Sequence, residues 1–373
     1  MDTVRYGIVG CGMMGQEHIR NINLLPKGEV TAVFDPIPEI ATAAATLAGG
    51  ARVASTVSDV VRDESVDALV IVSPNHLHVD QLFEVSAIRH LPILCEKPLY
   101  THADQAARLK VFEERYQAPV WVAMEYRYMP PIAALVEEVL SATGGIEMLT
   151  IREHRFPFLQ KIGNWNRFNR NTGGTLVEKC CHFFDLMRLV MGSEAVRVMA
   201  SAGQAVNHTG ESYAGEVPDI WDNGYVIVDF ANGKRAMLEL CMFAEGSRYQ
   251  EEIVAVGRDG KIECHVPGPG RFWNEAKLGP APVPRLIMSP RSPKGPQERF
   301  IPVDAQLLEA GDHNGSTFYQ HERFNAVVRG EAEVEVTLLD GASAVEIGLA
   351  AQKSASEGRA VSLGDPTVGV SVA

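Results

Sequence analysis

The sequence predicts an α/β fold in two parts: a doubly wound parallel sheet, then an α+β unit built on an open, mainly antiparallel sheet. Three observations carry that expectation. At 373 residues, 46% hydrophobic and 22% charged, the chain is long enough to bury two cores rather than one. Through about residue 123, short apolar runs alternate with longer amphipathic ones, and near-continuous apolar runs suit parallel strands covered on both faces. From about residue 146 the pattern changes to longer strands joined by tight turns.

In chain order, "RYGIVG", "EVTAVFD", "DALVIVS", "PILCEKP" and "PVWVAM" read as strands, with covering helices over 13–25, 77–90 and 103–116. In the second part, "DFANGKRAMLEL" and "VAVGRDGKIECHV" set Asn232-Gly233 and Asp259-Gly260 at hairpin positions. Residues 266–296 hold eight of the 21 prolines, a density that predicts an excursion from the sheet as a lid, an oligomer arm or a loop. Two helical patterns, near 317–329 and 339–357, close the chain and are expected to pack back on the body. The expected division is 1–124 for the first domain and 125–373 for the second.

Composition narrows the partners. A formal charge of −13 and a pI near 5.4 disfavour nucleic acid and anionic membrane, because phosphate contacts need a basic face. A small molecule is the expected partner. No apolar run approaches the ~18 residues of a membrane span, and Met1 leads almost directly into "VRYGIVG" with no secretory pattern. A cytoplasmic protein is expected. Six cysteines without a C-x-x-C pair are too sparse for a disulfide scaffold.

"GIVGCGMMG" places Gly10, Gly12 and Gly15, around Met13 and Met14, in G-x-G-x-x-G spacing between the first strand and a helical pattern. Such glycines allow a tight turn, close approach of a pyrophosphate and close helix packing, the hallmarks of a Rossmann dinucleotide site. Asp35 ends the second strand 20 residues after Gly15, where a carboxylate accepts from a ribose 2′-hydroxyl and repels a 2′-phosphate. NAD is therefore expected rather than NADP. "VSPNHLH" sets Ser73, Asn75 and His78 at the end of another strand, and "LCEKPLY" sets Glu96 and Lys97 at the end of the next. Open α/β sheets bind ligands along that edge.

"GGTLVEKCCHFFD", residues 173–185, raises a further question. Metal site, redox pair, acid/base group and buried helix are all open readings of it. Adjacent Cys180 and Cys181 diverge by roughly 100° on a helix, which suits neither a shared metal nor a redox pair, so no metal is expected. Glu178, His182 and Asp185 stand at i, i+4 and i+7, one stripe of a helix.

The glycine loop, "SPNHLH", "EKP" and this His182 segment, in this order, resemble the Gfo/Idh/MocA family, named for glucose-fructose oxidoreductase, inositol dehydrogenase and a rhizopine-catabolism protein. The resemblance extends to the closing "STFYQHERFNAVVRGE" and "GLAAQKSASEGRAVSL". It implies NAD-dependent removal of hydride from a ring hydroxyl of a sugar, glycoside or cyclitol, and a homodimer or homotetramer formed through the exposed sheet face. In the family's pattern an Asp four residues before the His works with the Lys of "EKP"; here these are Glu178, His182 and Lys97. Glu for Asp is a departure, as are Lys179 and Cys180 for an apolar residue and Gly.

His182 is then the expected base, Lys97 the charge that stabilises an alkoxide, and Glu178 a hydroxyl ligand or a setter of the histidine tautomer. "MEYRYMP" adds Tyr126 and Arg127. The resemblance implies a second reaction class, redox-neutral NAD-dependent glycosidases, whose extra base would come from Tyr126, Glu178 or His313. A non-catalytic NAD sensor is disfavoured by the presence of both Lys97 and His182. Between 152 and 179, Arg152, Arg155, Lys161, Arg167, Arg170 and Lys179 face only Glu153 and Glu178. That local surplus points to an anionic substrate, bearing a carboxylate, sulfonate or phosphate, or else to ion pairs with acidic neighbours at an oligomer interface. Trp165 offers a stacking face for a sugar.

Overall fold

The computed structural model describes residues 3–364. The first part alternates β1 (Val4–Val9), α1 (Met13–Ile22), β2 (Gly28–Phe34), α2 (Pro38–Leu47), β3 (Arg52–Val53), α3 (Val57–Val61), β4 (Ala68–Ile71), α4 (His78–Ser86), β5 (Ile93–Cys95), α5 (Asp104–Arg115) and β6 (Val120–Val122). The strands pair in the order β3-β2-β1-β4-β5-β6, every pair parallel. Ile8, Val33, Val70, Leu94 and Trp121 are fully buried in it, which is why these strands read as unbroken apolar runs. The order reverses between β1 and β4, and at such a switch point a crevice opens beyond the strand ends. Pro38 starts α2, and Thr56 caps α3 by accepting from the Asp59 amide; these two helices and the edge strand β3 were not legible from the apolar pattern.

The second part comprises α6 (Pro130–Thr143), β7 (Ile146–His154), α7 (Asn169–Thr172), α8 (Thr175–Glu178), α9 (Cys181–Met191), β8 (Ala195–Gly203), β9 (Asn223–Phe230), β10 (Arg235–Cys241), β11 (Glu251–Gly257), β12 (Gly260–Val266), α10 (Glu275–Leu278), β13 (Arg285–Pro290), β14 (Gln297–Phe300), α11 (Ala305–Ala310), α12 (Ser316–Val328), α13 (Leu338–Glu357) and β15 (Val361–Ser362). Nine strands form one sheet, β14-β13-β12-β11-β7-β10-β9-β8-β15. Only β7 and β10 run parallel among its pairs. Helices α6, α9 and α13 pack against one face. Helix α12 lies against α1, and α13 reaches β6, so the closing helices fasten the two parts together. Both predicted hairpins form, β9 to β10 and β11 to β12.

Two expectations need correction. The proline-rich stretch leaves the sheet only over about 267–284, because β13 returns to pair with β12. The single helix expected through Glu178, His182 and Asp185 is divided into α8 and α9. The Glu178 carbonyl, which an unbroken helix would pair with the His182 amide, instead accepts from Lys97 Nζ at 3.2 Å and Cys181 Sγ at 3.7 Å.

Candidate active site

The glycine loop follows from steric needs at two positions and from open space at a third. Gly10 has φ +97°, and a Cβ there would meet the Val72 carbonyl oxygen at 2.7 Å. A Cβ on Gly15 would lie 2.2 Å from the Gly10 carbonyl oxygen, so α1 packs on the turn only because that atom is missing. Around a Cβ on Gly12 there is nothing within 4 Å; that space is open to a ligand. A cleft of about 490 Å³ is lined by Gly10, Gly12, Met13, Met14, Asp35, Ser73, Asn75, Glu96, Lys97 and neighbouring residues. Asp35 accepts from the amides of Cys11 (2.9 Å) and Ile37 (3.0 Å), which fixes the carboxylate at the end of β2. These residues fit a dinucleotide: open space at a helix N-terminus for phosphates and a fixed carboxylate for a ribose.

Gly15 and His78 do not line this cleft. His78 is fully buried behind it, with Nδ1 2.9 Å from the Pro98 carbonyl oxygen and Nε2 3.0 Å from that of Ser73. It ties the two loops together instead of touching a cofactor.

A second pocket, about 370 Å³, adjoins the cleft and shares Met13, Met14, Lys97, Lys161 and Glu178 with it. His182 lines this pocket and stacks on the Tyr126 ring, centroids 4.1 Å apart and planes at 8°. Burial, aided by Lys97 and Lys179, holds the His182 pKa well below the ordinary imidazole value, so the ring is neutral. Its Nδ1 has no hydrogen-bond partner among the described residues. Glu178 is not its orienter; burial raises the Glu178 pKa against the pull of Lys97 and Lys161, and its Oε2 is likewise without a partner.

Tyr126 accepts from Lys179 Nζ at 2.5 Å, and Lys179 pairs with Glu153 at 2.8 Å. Burial, with Glu251 and Glu153 nearby, pushes the Tyr126 pKa well up. It is a protonated platform for His182, not the extra base suggested above. His313 lines the pocket with Nδ1 2.8 Å from Glu17 and 3.4 Å from Glu125. Burial would lower its pKa, yet Glu125 and Glu17 raise it to about 9; it is a cation here, and a base only after losing that proton.

Other expected substrate residues are engaged elsewhere. Arg127 makes a two-pronged pair with Asp185, at 2.6 and 2.5 Å, and donates to the Glu335 carbonyl. Asp185 therefore faces Arg127 and does not join Glu178 and His182. Buried Arg167 is held by Glu211 at 3.1 Å. Trp165 lines the first cleft, not the pocket that holds His182. Of the basic surplus, Arg152 pairs with Glu239 and Glu252, and Arg170 with Glu216. Arg155, Lys161 and Lys179 do reach the pocket.

Sequence reasoning missed the buried acids. Glu17 and Glu125 share the Thr317 hydroxyl, and Glu153 and Glu251 are wholly buried; Glu96, expected at the strand end, lines the cleft and meets His18 at 3.1 Å, which in turn meets His321 at 2.8 Å. Isolated acids in helix or strand patterns carry no local signal of burial. Among the described residues, no group of three or more His, Cys, Asp or Glu has the placement to hold a metal. Cys180 and Cys181 are buried free thiols.

Comparison with known proteins decides the class. Residues 4–124 match the oxidoreductase-family model for an NAD-binding Rossmann fold, and residues 141–363 match that for the family's C-terminal alpha/beta domain. The chain belongs to the Gfo/Idh/MocA oxidoreductase family. Inositol 2-dehydrogenase of Corynebacterium glutamicum (strain R) is 32% identical over 282 residues, 74% of this chain and 78% of that one. Inositol 2-dehydrogenase of Rhizobium meliloti (strain 1021) is 27% identical over 364 residues, 97% and 99% of the two chains. The solved structure of levoglucosan dehydrogenase with NADH and levoglucosan shares the fold at a TM-score of 0.78 and 20% identity, covering 97% of this chain and all of that one. The chain is thus a Gfo/Idh/MocA dehydrogenase-type oxidoreductase, and its NAD-binding region contains the glycine loop and Asp35.

Proposed function

We propose that the protein removes hydride from a ring hydroxyl of a sugar, glycoside or cyclitol and that NAD is the acceptor. The observation that carries this reading is the shared wall: Lys97 and Glu178 line both the dinucleotide cleft and the pocket that holds His182. NAD, when bound, supplies the hydride acceptor. His182, neutral and with a free ring nitrogen, takes the hydroxyl proton. Lys97 stabilises the alkoxide charge as it develops, and Glu178 binds a neighbouring hydroxyl. Asp35 favours NAD over NADP by repelling a 2′-phosphate. Inositol and levoglucosan, named for the relatives, are ring polyols of the same class.

A finer reading concerns charge. Arg155 Nε has no hydrogen-bond partner among the described residues and lies 3.9 Å from a Glu153 oxygen already taken by Lys179. Lys161 makes no ion pair among the described residues and lines the pocket. We assign these two to an acidic group on the ring, a carboxylate, sulfonate or phosphate. The raised pKa of Glu178 supports a second reading, redox-neutral NAD-dependent glycoside hydrolysis, because a carboxyl protonated nearer neutrality serves as acid and base in turn. Six free cysteines, five of them buried, suit a reducing compartment, and we place the protein in the cytoplasm.

The test follows NADH and nitrophenol together with NAD and neutral and anionic nitrophenyl glycosides, alongside the free sugars and inositol. NADH accumulation supports the dehydrogenase; nitrophenol without NADH supports the hydrolase. Lys97→Met is expected to lower kcat by about 10²- to 10⁴-fold while NADH still binds; unchanged turnover would refute the assignment.

A further inference from the structure

A third cavity, about 520 Å³, lies beside the reaction pocket and has no part in the chemistry above. The two share Pro269, Arg271, Leu308, Glu309, Gly311 and Asp312. An Arg271–Asp312 ion pair bridges this common wall. Both partners reach solvent, exposed pairs of this kind add little stability, and the Arg271 guanidinium also lies over the Phe272 ring, 4.7 Å from its centroid. Beyond it the lining is apolar and aromatic, including Phe272, Trp273, Val283 and Val303. The Trp273 indole N–H is satisfied by the Gly279 carbonyl at 2.9 Å, which orients the ring and leaves that donor needing no partner from an occupant. Aromatic surface is continuous between the chambers: Phe156 of the reaction pocket packs on Phe272, ring centroids 4.5 Å apart.

We infer that this cavity is the aglycone site of a glycoside substrate, taking an uncharged aryl or alkyl group joined to the sugar whose ring occupies the reaction pocket. The inference rests on the reading of that pocket as a sugar site and sharpens it: the substrate is a glycoside, not a free cyclitol. Continuity with the reaction pocket selects this occupant, since a group attached to the ring is carried to the common wall whenever the ring binds. The apolar lining, with charges confined to Glu245, Arg248 and the shared wall, selects its chemistry.

The test compares 4-nitrophenyl and methyl glycosides and the free sugar of one sugar accepted by the NAD-loaded enzyme, in the unmodified protein and in Val283→Trp, which fills the cavity. The 4-nitrophenyl glycoside is expected to exceed the methyl glycoside at least about tenfold in kcat/KM, and Val283→Trp to erase that preference while leaving the free sugar within about twofold. A preference that survives the substitution, or equal losses on all three compounds, overturns the inference. So does a lower mass for Val283→Trp by light scattering, which would give the cavity to a contact between copies. Quenching of tryptophan fluorescence by 4-nitrophenol, compared between the unmodified protein, Val283→Trp and Trp273→Phe, reads the cavity without turnover. Quenching lost in both variants while no sugar reacts would overturn the sugar reading and retain an apolar site; sugar turnover without such quenching would overturn the cavity alone.

Discussion

His313 shows how a residue can be found by sequence while its charge is set by the fold. It was expected at the pocket, which it lines, but only the fold brings Glu17 from α1 and Glu125 from beyond β6 against its ring. The same limit explains Arg127 and Arg167, whose partners Asp185 and Glu211 lie 58 and 44 positions away. Lys97 and His182 were singled out through the resemblance of their segments to a known family, and the fold places both on the wall of one pocket. A pH effect follows from the His313 pair. Its folded pKa, about 9, lies above the unfolded value near 6.5. The stabilisation is therefore complete below about pH 6.5 and is lost as pH rises through about 9. Thermal melts of the unmodified protein and His313→Gln should differ most at pH 6 and converge towards pH 10. A gap that does not change with pH would show that the imidazolium contributes nothing.

At the scale of elements, the β1–α1 turn was legible because its glycine spacing encodes two steric needs, at Gly10 and Gly15, and an opening at Gly12. The break between α8 and α9 was not, since the Lys97 ammonium that takes the Glu178 carbonyl comes from 81 positions upstream. The edge strand β3 has two residues, too few for any alternation to register. The glycine turn yields a paired prediction. Gly12→Ala meets no protein atom within 4 Å and should melt within about 1 °C of the unmodified chain, a shift worth under ~1 kcal/mol, yet its methyl group enters the cleft and should weaken NADH binding at least about tenfold. Gly15→Ala drives a methyl group to 2.2 Å from the Gly10 carbonyl oxygen, so it should lose about 1–3 kcal/mol of stability as well. Melting curves and NADH fluorescence titrations separate the two; equal losses of stability would contradict the division of roles.

For the whole molecule, the nine-stranded sheet has one face packed and one open. Along β7, Leu149, Ile151 and Glu153 point to the covered side, while Met148, Thr150 and Arg152 point away. The same alternation puts Met199, Ile227 and Met237 opposite one another across β8, β9 and β10. Met148 pairs with Val256, and Tyr225 stands 57% exposed near them. A cluster of large apolar side chains on an open sheet is an expected contact between copies, and a stable dimer would bury about 800 Å² on each partner. The network of Arg152 and His154 with Glu239 and Glu252 borders this patch, which would set register without adding much affinity. Glu153, which holds the pocket residue Lys179, points to the covered side, so the catalytic site and this face are separable. Ile227→Arg should therefore lower the mass measured by light scattering to that of one 40.7 kDa chain, with kcat/KM per chain unchanged. An unmodified protein that already runs as a monomer would remove the sheet face as an interface; dissociation accompanied by lost turnover would mean that a neighbouring copy buttresses the pocket through the sheet.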